Sequence, residues 1–414
     1  MRQPVISYFH GNCSYLFRKC LCLGLLFILT LQVKGQDIKI FEAVPAKKSG
    51  VTFKNVITEN VHHNALTHEN LYNGGGVATG DINNDGLDDI YLISNMGYNK
   101  LYLNQGGLKF KDITESAGVA GRTGWKTGVT MVDINGDNLL DIYVCYCGKE
   151  TVDGRRNELF INKGNLKFEE EAKKWGIDDP TYSTLGAFFD YDLDGDLDMF
   201  LVATNTKVIR GMEFENARVE NDPYAGDKLF RNDGGRFTDV TIPAGIISTG
   251  IGYGLGIAIS DINKDGWPDV YITNDYIEPD YLYINNGNGT FTNRMTEHVQ
   301  HNSQSAMGNE INDFNNDTWP DIFTADMLSE DNRRLKLLYG QENYLEYAMQ
   351  VIQGFYHSTM RNMLQLNNAN GTFSEIGQLA NVSNTDWSWA PPFANFDNDG
   401  WKDLLVTNGY FKDY

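Results

Sequence analysis

The sequence contains few cysteines for its length and no disulfide framework. Five of its 414 residues are cysteine, and three of these (Cys13, Cys20 and Cys22) lie within the first 35 residues. The remaining two, Cys145 and Cys147, cannot cross-link a chain of this size, so we interpret them as small core residues. Something other than disulfides must therefore stabilise the fold.

Basic residues are also scarce. The chain has 34 lysines and arginines against 55 acidic residues, which gives a formal net charge of −21. Such a chain repels phosphate backbones and anionic lipid, so nucleic acid is excluded as a partner. Disorder does not explain the composition, because 41% of the residues are hydrophobic and can form a large core. The excess of acid therefore needs a structural or chemical use.

No apolar run is long enough to span a membrane as a helix. The longest run is Leu21–Leu31, and a bilayer core of roughly 30 Å needs about 20 residues. Arg18 and Lys19 precede this run and Gly35 follows it, which predicts a signal peptide over residues 1–35. A signal anchor is the alternative. We expect a secreted or cell-surface protein (outer surface or periplasm if bacterial) without a transmembrane segment.

One acidic nine-residue pattern recurs six times after residue 70. Its form is Asp/Asn-x-Asp/Asn-x-Asp-Gly-x-x-Asp, and we number its positions 1 to 9. Successive copies begin about 50 to 80 residues apart, which indicates structural repeats within one domain. Position 6 is glycine in four copies, Asn138 in the second and Thr318 in the fifth. A single copy could be an ordinary turn, but six copies in the same strand-loop-strand context favour a shared chemical role.

Each copy is predicted to bind calcium. Side chains at positions 1, 3 and 5 of a tight loop converge on one point, the backbone carbonyl of position 7 can join them, and Asp at position 9 closes the shell. Calcium takes about six to eight such oxygen ligands. The candidate ligands are Asp81, Asn83, Asp85, Leu87 and Asp89; Asp133, Asn135, Asp137, Leu139 and Asp141; Asp190, Asp192, Asp194, Asp196 and Asp198; Asp261, Asn263, Asp265, Trp267 and Asp269; Asp313, Asn315, Asp317, Trp319 and Asp321; and Asn395, Asp397, Asp399, Trp401 and Asp403.

The six loops are not expected to be equivalent. The third loop has an acid at every side-chain ligand position, so we expect it to bind calcium most tightly. Position 6 must turn with a positive φ, which glycine adopts freely and asparagine at modest cost. Thr318 is β-branched and should adopt this conformation poorly. The fifth loop is therefore predicted to be the weakest site.

The segments between the loops repeat as well. A glycine-rich apolar segment precedes each loop and a short β-rich run follows it. In five copies a second strand pair comes next, marked by Leu-x-x-Asn before an Asn/Gly turn and by Phe after it. Four antiparallel strands per repeat is the pattern of a β-propeller blade. The sequence therefore predicts an all-β β-propeller over residues 36–414, with a helical insertion at about 327–360.

The number of blades stays open at this stage. The last blade is incomplete, since only Leu404–Tyr414 follow the sixth loop. Phe53–Thr58 resembles the outer-strand segment Phe110–Thr114, which predicts an N-terminal strand that completes the final blade. Either six blades close the ring, or a further blade is missing.

These loops and strand pairs resemble the FG-GAP/VCBS repeat family, the calcium-binding propeller repeat of integrin α-subunit heads. The resemblance covers about residues 50–414 and points to the secreted bacterial branch related to cartilage acidic protein and ASPIC/UnbV proteins. The literal Phe-Gly and Gly-Ala-Pro signature is poorly kept, and Trp389–Pro392 comes nearest to it. The resemblance implies seven blades, up to six calcium ions, a possible missing C-terminal domain and a role in adhesion.

Catalytic motifs are not found in the sequence. It contains no Gly-x-Ser-x-Gly elbow, His-Glu-x-x-His or P-loop. Gly250–Gly256 opens a strand and is expected to pack near the propeller axis. His62, His63 and His68 are interpreted as a surface segment, with metal binding or a catalytic base as the alternative. Trp125, Trp387 and Trp389 are interpreted as core residues, with stacking on sugar rings as the alternative.

The predicted function is that of a non-enzymatic, calcium-binding adhesion or ligand-binding module whose partner is an extracellular protein or glycan. The alternative is a calcium-dependent polysaccharide-degrading enzyme with a lyase-like propeller. Such an enzyme would need a base and a charge-neutralising group that meet in one cleft.

Overall fold

The computed structural model describes residues 41–61, 64, 71–148, 151–205, 218–338 and 344–409. The chain divides into Met1–Ala43 and Val44–Tyr414, and all the elements given below lie in the second unit. The predicted signal peptide and the three histidines at 62, 63 and 68 lie outside the described residues. Within the described part, no helix has the length and apolar character needed to cross a membrane.

Five four-stranded antiparallel sheets follow one another along the chain, and we call each of them a blade. Their strands are β1 (Gly76–Gly80), β2 (Asp89–Ile93), β3 (Lys100–Asn104) and β4 (Phe110–Asp112); β5 (Lys126–Val132), β6 (Asp141–Tyr146), β7 (Glu158–Asn162) and β8 (Phe168–Glu170); β9 (Ser183–Phe189), β10 (Asp198–Ala203), β11 (Lys228–Asn232) and β12 (Phe237–Asp239); β13 (Gly254–Ser260), β14 (Asp269–Asn274), β15 (Tyr281–Asn285) and β16 (Phe291–Asn293); and β18 (Asn309–Asn312), β19 (Asp321–Thr324), β21 (Met363–Asn367) and β22 (Phe373–Glu375). The sixth blade is described by β23 (Phe393–Ala394) and β24 (Asp403–Leu404).

Short helical elements lie before, within and between the blades. They are α1 (Ala46–Ser49), α2 (Thr114–Ala117), a 3₁₀ turn (Asp153–Arg155), α3 (Ala172–Trp175) and α4 (Met295–His298). The fifth blade is interrupted between β19 and β21 by α5 (Asn332–Leu338) and α6 (Tyr344–Ile352), which confirms the predicted helical insertion. A two-residue parallel pair, β17 (Asn302–Ser303) with β20 (Ser358–Thr359), accompanies this insertion.

Strand order within each complete blade follows the sequence, so consecutive strands are hydrogen-bonded neighbours. The second strand is the most deeply buried, and all six residues of β6 are inaccessible to solvent. A strand rich in β-branched and aromatic residues can be buried on both faces in this way. The all-β class and the four-stranded antiparallel blades are therefore confirmed.

The core lies between consecutive blades. Side chains from β2 and β6 form one apolar cluster, those from β6 and β10 form the next, and equivalent clusters continue to the sixth blade. The first strands of successive blades run close together, where glycine is required. A Cβ on Gly128 would lie 2.2 Å from the carbonyl oxygen of Thr184 in the next blade. The glycine-rich segments thus allow the first strands of successive blades to approach each other.

The predicted N-terminal closing strand is wrong. Residues 51–60 form no strand and lie against the first blade. Asn55 donates its amide to Asn95 Oδ1 at 2.5 Å and accepts the Asn95 backbone N–H at 3.1 Å, while the Thr52 N–H donates to Tyr102 Oη. Bonds to Asn95 and to Tyr102 of β3 replace the strand pairing that the Phe-Lys-Asn pattern suggested.

The cysteine and tryptophan interpretations can be compared with the structure. Cys145 and Cys147 are free thiols and both are buried. Trp125 is also buried and packs beside Cys147, whereas Trp387 and Trp389 are half-buried. Trp389 packs against the cluster between the fifth and sixth blades. Trp125 is therefore confirmed as a core residue.

Candidate metal centres

Each acidic loop connects the first strand of a blade to the second, so the loops occupy equivalent places in the repeat. The strand before the loop ends in the residue before position 1. Position 9 opens the second strand, as Asp89 opens β2 and Asp269 opens β14. The repeat thus places the nine positions between two hydrogen-bonded strands. This arrangement fixes both ends of the loop.

The backbone turns sharply twice in each loop. Position 6 has a positive φ in all six copies, as predicted, and Thr318 does so with φ 76° despite its branched Cβ. Position 4 also has a positive φ in all six copies, which the sequence analysis did not predict. The residues at position 4 are Asn84, Gly136, Leu193, Lys264, Asn316 and Asn398. Leucine and lysine rarely adopt this conformation, so two of these turns are strained.

The side chains at positions 1 and 5 point into the loop and accept backbone N–H groups. In the first loop, Asp81 Oδ1 accepts the N–H of position 5 at 3.1 Å and its Oδ2 accepts that of position 6 at 2.7 Å. Asp85 Oδ1 accepts the N–H of Leu87 at position 7 at 2.9 Å. The bond from position 7 to position 5 recurs in all six loops. These backbone bonds thereby fix the orientation of the carboxylates within each loop.

The third loop gathers the densest group of acids. Carboxylate oxygens of Asp190, Asp192 and Asp194 lie within 4.8 Å of one another. Asp192 Oδ1 is buried and has no hydrogen-bond partner among the described residues. Burial raises the pKa of Asp192, and the charges of Asp194 and Asp190 raise it further. An orphaned buried oxygen beside two carboxylates fits a hard cation, which would satisfy it and screen the repulsion.

Position 9 is the most buried member of each complete set. Asp89, Asp141, Asp198 and Asp269 are inaccessible to solvent, and Asp321 is nearly so. Burial raises the pKa of Asp141, Asp198 and Asp269 to about 7 and that of Asp321 to about 6, and the acids at positions 1 or 5 of the same loop add to the effect. A desolvated carboxylate surrounded by like charge is the setting that a bound cation stabilises.

One asparagine per blade, at the end of the third strand, was recognised in the sequence only as part of the hairpin motif. Its backbone N–H donates to Oδ1 of the position 9 aspartate at 2.7–2.8 Å in all five complete blades. In the second, fourth and fifth blades its side chain also bonds to the preceding loop. Asn162 Nδ2 donates to the carbonyl of Ile82 in the preceding loop at 2.9 Å and to Leu140 in its own loop at 3.2 Å. Its position after Leu-x-x was the available sequence signal.

Side chains at position 4 join neighbouring loops. Asn84 Nδ2 donates to the carbonyl of Asn138 at 2.8 Å, and Asn316 Nδ2 donates to that of Gly400 at 3.2 Å. Lys264 Nζ donates to Thr318 Oγ1 at 2.7 Å. In each case position 4 of one loop contacts position 6 of the next. These bonds connect the first loop to the second, the fourth to the fifth and the fifth to the sixth.

Comparisons with known proteins agree with this repeat architecture. The model of the FG-GAP-like repeat matches residues 72–144, 261–324 and 351–406. Cartilage acidic protein 1 of Xenopus tropicalis is 29% identical over 49% of this chain, and that of Homo sapiens is 26% identical over 54% of it. These alignments cover 29% and 31% of the relatives, so the chain spans less than a third of their length.

A solved structure is also similar in shape. It is that of an Agrocybe aegerita lectin, described for its recognition of non-reducing terminal N-acetylglucosamine. The TM-score is 0.45 at 16% identity, over 80% of this chain and 73% of the lectin. Three regions of the chain thus match the FG-GAP-like repeat, and the chain is similar to cartilage acidic protein 1.

Proposed function

We propose that this protein is a secreted, non-enzymatic ligand-binding module whose propeller is stabilised by calcium at the acidic loops. The observation that carries the proposal is the third loop, where three carboxylates converge beside the orphaned Oδ1 of Asp192. Positions 1, 3, 5 and 9 would supply side-chain oxygens and position 7 its carbonyl, with up to six ions per chain. Calcium would supply positive charge at points where the chain concentrates negative charge.

The chain's own residues explain how such sites would stabilise the fold. Backbone N–H groups of the loop hold the carboxylates in place before any ion binds. The position 9 aspartate is tied to the third strand, and the asparagine of that strand is tied to the preceding blade. A cation bound only in the folded state adds about 2.7 kcal/mol per site at a hundredfold excess over its Kd. Calcium therefore does here what disulfides do in other secreted folds, since both cysteines in the described part of the chain are free.

The proposed partner is an extracellular protein or glycan bound at the surface that the loops and turns present. Partners, secretion and adhesion are proposed together, since a calcium-dependent propeller with a predicted signal peptide suits an environment rich in calcium. The acidic surface would favour partners that are neutral or basic.

The calcium sites can be tested with a pair of variants in one loop. Asp192→Ala removes a proposed side-chain ligand, whereas Asp196→Ala removes an acid at position 7, where only the carbonyl is proposed to bind. Calorimetric titration should show weaker calcium binding for Asp192→Ala only. Thermal unfolding in calcium should likewise show a lower Tm for Asp192→Ala only. Equal effects from both variants would contradict the ligand assignment, and a wild-type Tm that is unchanged in chelator would contradict the proposal as a whole.

The ligand-binding role needs a separate test. A glycan array and a set of extracellular matrix proteins would be probed with the wild-type chain in calcium and in chelator, with product analysis of every glycan that binds. Binding in calcium without new products is the expected result. Release of unsaturated sugars would identify a lyase and overturn the non-enzymatic assignment.

A further inference from the structure

A cleft of about 470 Å³ lies between the third and fourth blades, beside the third acidic loop. The third blade contributes Tyr191, Asp192 and Arg231, with an apolar floor of Val240, Pro243 and Ala244. The fourth blade contributes Trp267 and the turn Gly287–Thr290. This volume falls in the range of about 300–1,000 Å³ that is usual for small-molecule sites.

The walls of the cleft depart from the repeat at the positions that line it. The residue before the third-strand asparagine is aliphatic in the other complete blades but is Arg231 in the third; its counterparts are Leu103, Ile161, Ile284 and Leu366. Position 2 of the loop is Ile or Phe elsewhere but is Tyr191 here; its counterparts are Ile82, Ile134, Ile262, Phe314 and Phe396. Blade packing is satisfied by apolar residues at both positions in the other blades, so packing does not require the polar groups of the third blade.

The polar groups of the cleft are balanced in charge. Arg231 Nε donates to Asp233 Oδ1 at 2.8 Å, and Asp233 Oδ2 accepts the hydroxyl of Thr238 at 2.8 Å. The guanidinium is therefore held in position and its charge is compensated. The carboxylate of Asp192 would be compensated by the cation proposed for its loop. The cleft thus offers donors and acceptors without a strong net charge, which favours a neutral ligand over an anionic one.

The remaining wall is aromatic. A Cβ on Gly287 would lie 3.0 Å from the ring of Trp267, so the absence of a side chain there allows the indole to rest against the turn. In that turn, Asn288 Oδ1 accepts both the N–H and the hydroxyl of Thr290. The NH₂ group of Asn288 is then the part of its side chain that can donate to a ligand. A fixed indole beside an apolar floor and a polar rim suits a molecule with one C–H face and several hydroxyls.

We propose that this cleft binds a neutral sugar unit of a glycan. The C–H face of the sugar packs on Trp267, and its hydroxyls bond to Arg231, Asp192 and Asn288. The inference rests on the proposed function, because calcium in the third loop compensates Asp192, and it narrows the ligand from protein or glycan to neutral glycan.

The test uses substitutions that the chain itself carries at equivalent positions. Arg231→Leu copies the first and fifth blades, and Trp267→Leu copies position 7 of the first and second loops. Arg294→Leu is the matched control, because Arg294 also forms an exposed ion pair in a neighbouring turn, with Glu297. Saturation-transfer NMR would be performed in calcium with the methyl glycosides of glucose, galactose, mannose and N-acetylglucosamine, and with glucuronate.

Wild type and Arg294→Leu should bind at least one neutral glycoside more tightly than they bind glucuronate. Arg231→Leu and Trp267→Leu should each raise the Kd for that neutral glycoside about tenfold or more. The sugar site is overturned if no neutral glycoside binds, if glucuronate binds more tightly, or if the two cleft variants bind as wild type does. Calcium titration and Tm are measured on the same samples. A normal calcium response with no sugar binding refutes the cleft alone, whereas a missing calcium response refutes the proposed function.

Discussion

Asp280 is a buried carboxyl whose replacement by asparagine should stabilise the protein at neutral and alkaline pH. It precedes β15 and is inaccessible to solvent. Its Oδ1 accepts the N–H of Asn274 at 2.9 Å, and its Oδ2 accepts the hydroxyl of Tyr271 at 2.7 Å. The first blade has Asn99 at the equivalent place, with its Oδ1 accepting the N–H of Ser94 and its NH₂ donating to a tyrosine hydroxyl at 2.8 Å. Asp280→Asn therefore reproduces an arrangement that the chain already contains.

The size of the effect follows from the pKa of Asp280. Burial raises this pKa from 3.8 to about 7, and the charge of Asp326 adds to the increase. Between these two values the folded chain holds a proton that the unfolded chain has lost, so stability falls as pH rises from about 4 to 7 and is constant above. The difference in pKa corresponds to about 4 kcal/mol. Because asparagine carries no charge, the variant does not lose this stability as the pH rises.

Urea denaturation in excess calcium at about pH 4.5, 6 and 8 would measure the prediction. The two proteins should be similar in stability at the lowest pH, and the variant should be more stable by about 4 kcal/mol at the highest. Subtracting wild type from variant removes the pH dependence of the acidic loops, which both proteins share. Asp227→Asn is the matched control: Asp227 is also buried, but Phe200 stands where Tyr271 offers a hydroxyl, so its gain should be smaller. A stability difference that does not change with pH would refute the reasoning.

Three further predictions concern the acidic loops. Asp194→Ala should lower the Tm in calcium more than Asp317→Ala, because the third loop is expected to bind most tightly and the fifth most weakly; equal losses would contradict the ranking. Asn162→Ala should lower the free energy of unfolding by about 2–4 kcal/mol, and Asn104→Ala by about 1–2 kcal/mol, because the latter bonds only within its own blade. Asn84→Ala should weaken calcium binding at two loops, so a chelator titration should release two ions early; early release of one would refute the connection.

Much of the fold could be predicted because its signals are local and repeated. The acidic pattern, the glycine-rich strand before it and the Leu-x-x-Asn strand after it each occur several times, so chance matches are averaged out. The prediction that position 6 turns with a positive φ was correct even for Thr318, where propensity opposed it. There the bond from its N–H to Asp313 Oδ2 at 2.7 Å offsets the local strain.

The features that could not be predicted depend on contacts between distant residues. Asn55 occurs in a strand-like sequence, yet its amide bonds to Asn95 hold the segment against the first blade. The positive φ at position 4 has no sequence signature, since Asn, Gly, Leu and Lys all occur there. The cleft could not be predicted because Arg231 and Trp267, which both line it, come from different blades that only the fold brings together.

The chain can have few cysteines because two other sets of contacts connect neighbouring blades. Between the first strands, the hydroxyl of Thr127 in β5 donates to the carbonyl of Ser183 in β9 of the next blade at 2.7 Å, beside the glycine contact at Gly128. At the loop edge, the Asn162 side chain bonds to two loops and its backbone N–H donates to Asp141, a buried carboxylate whose pKa is raised. Of these two sets of contacts, only the one at the loop edge contains uncompensated charge. Removing calcium should therefore loosen the loop edge first, and amide hydrogen exchange should increase at Ile82 and Asn162 before it increases at Thr184.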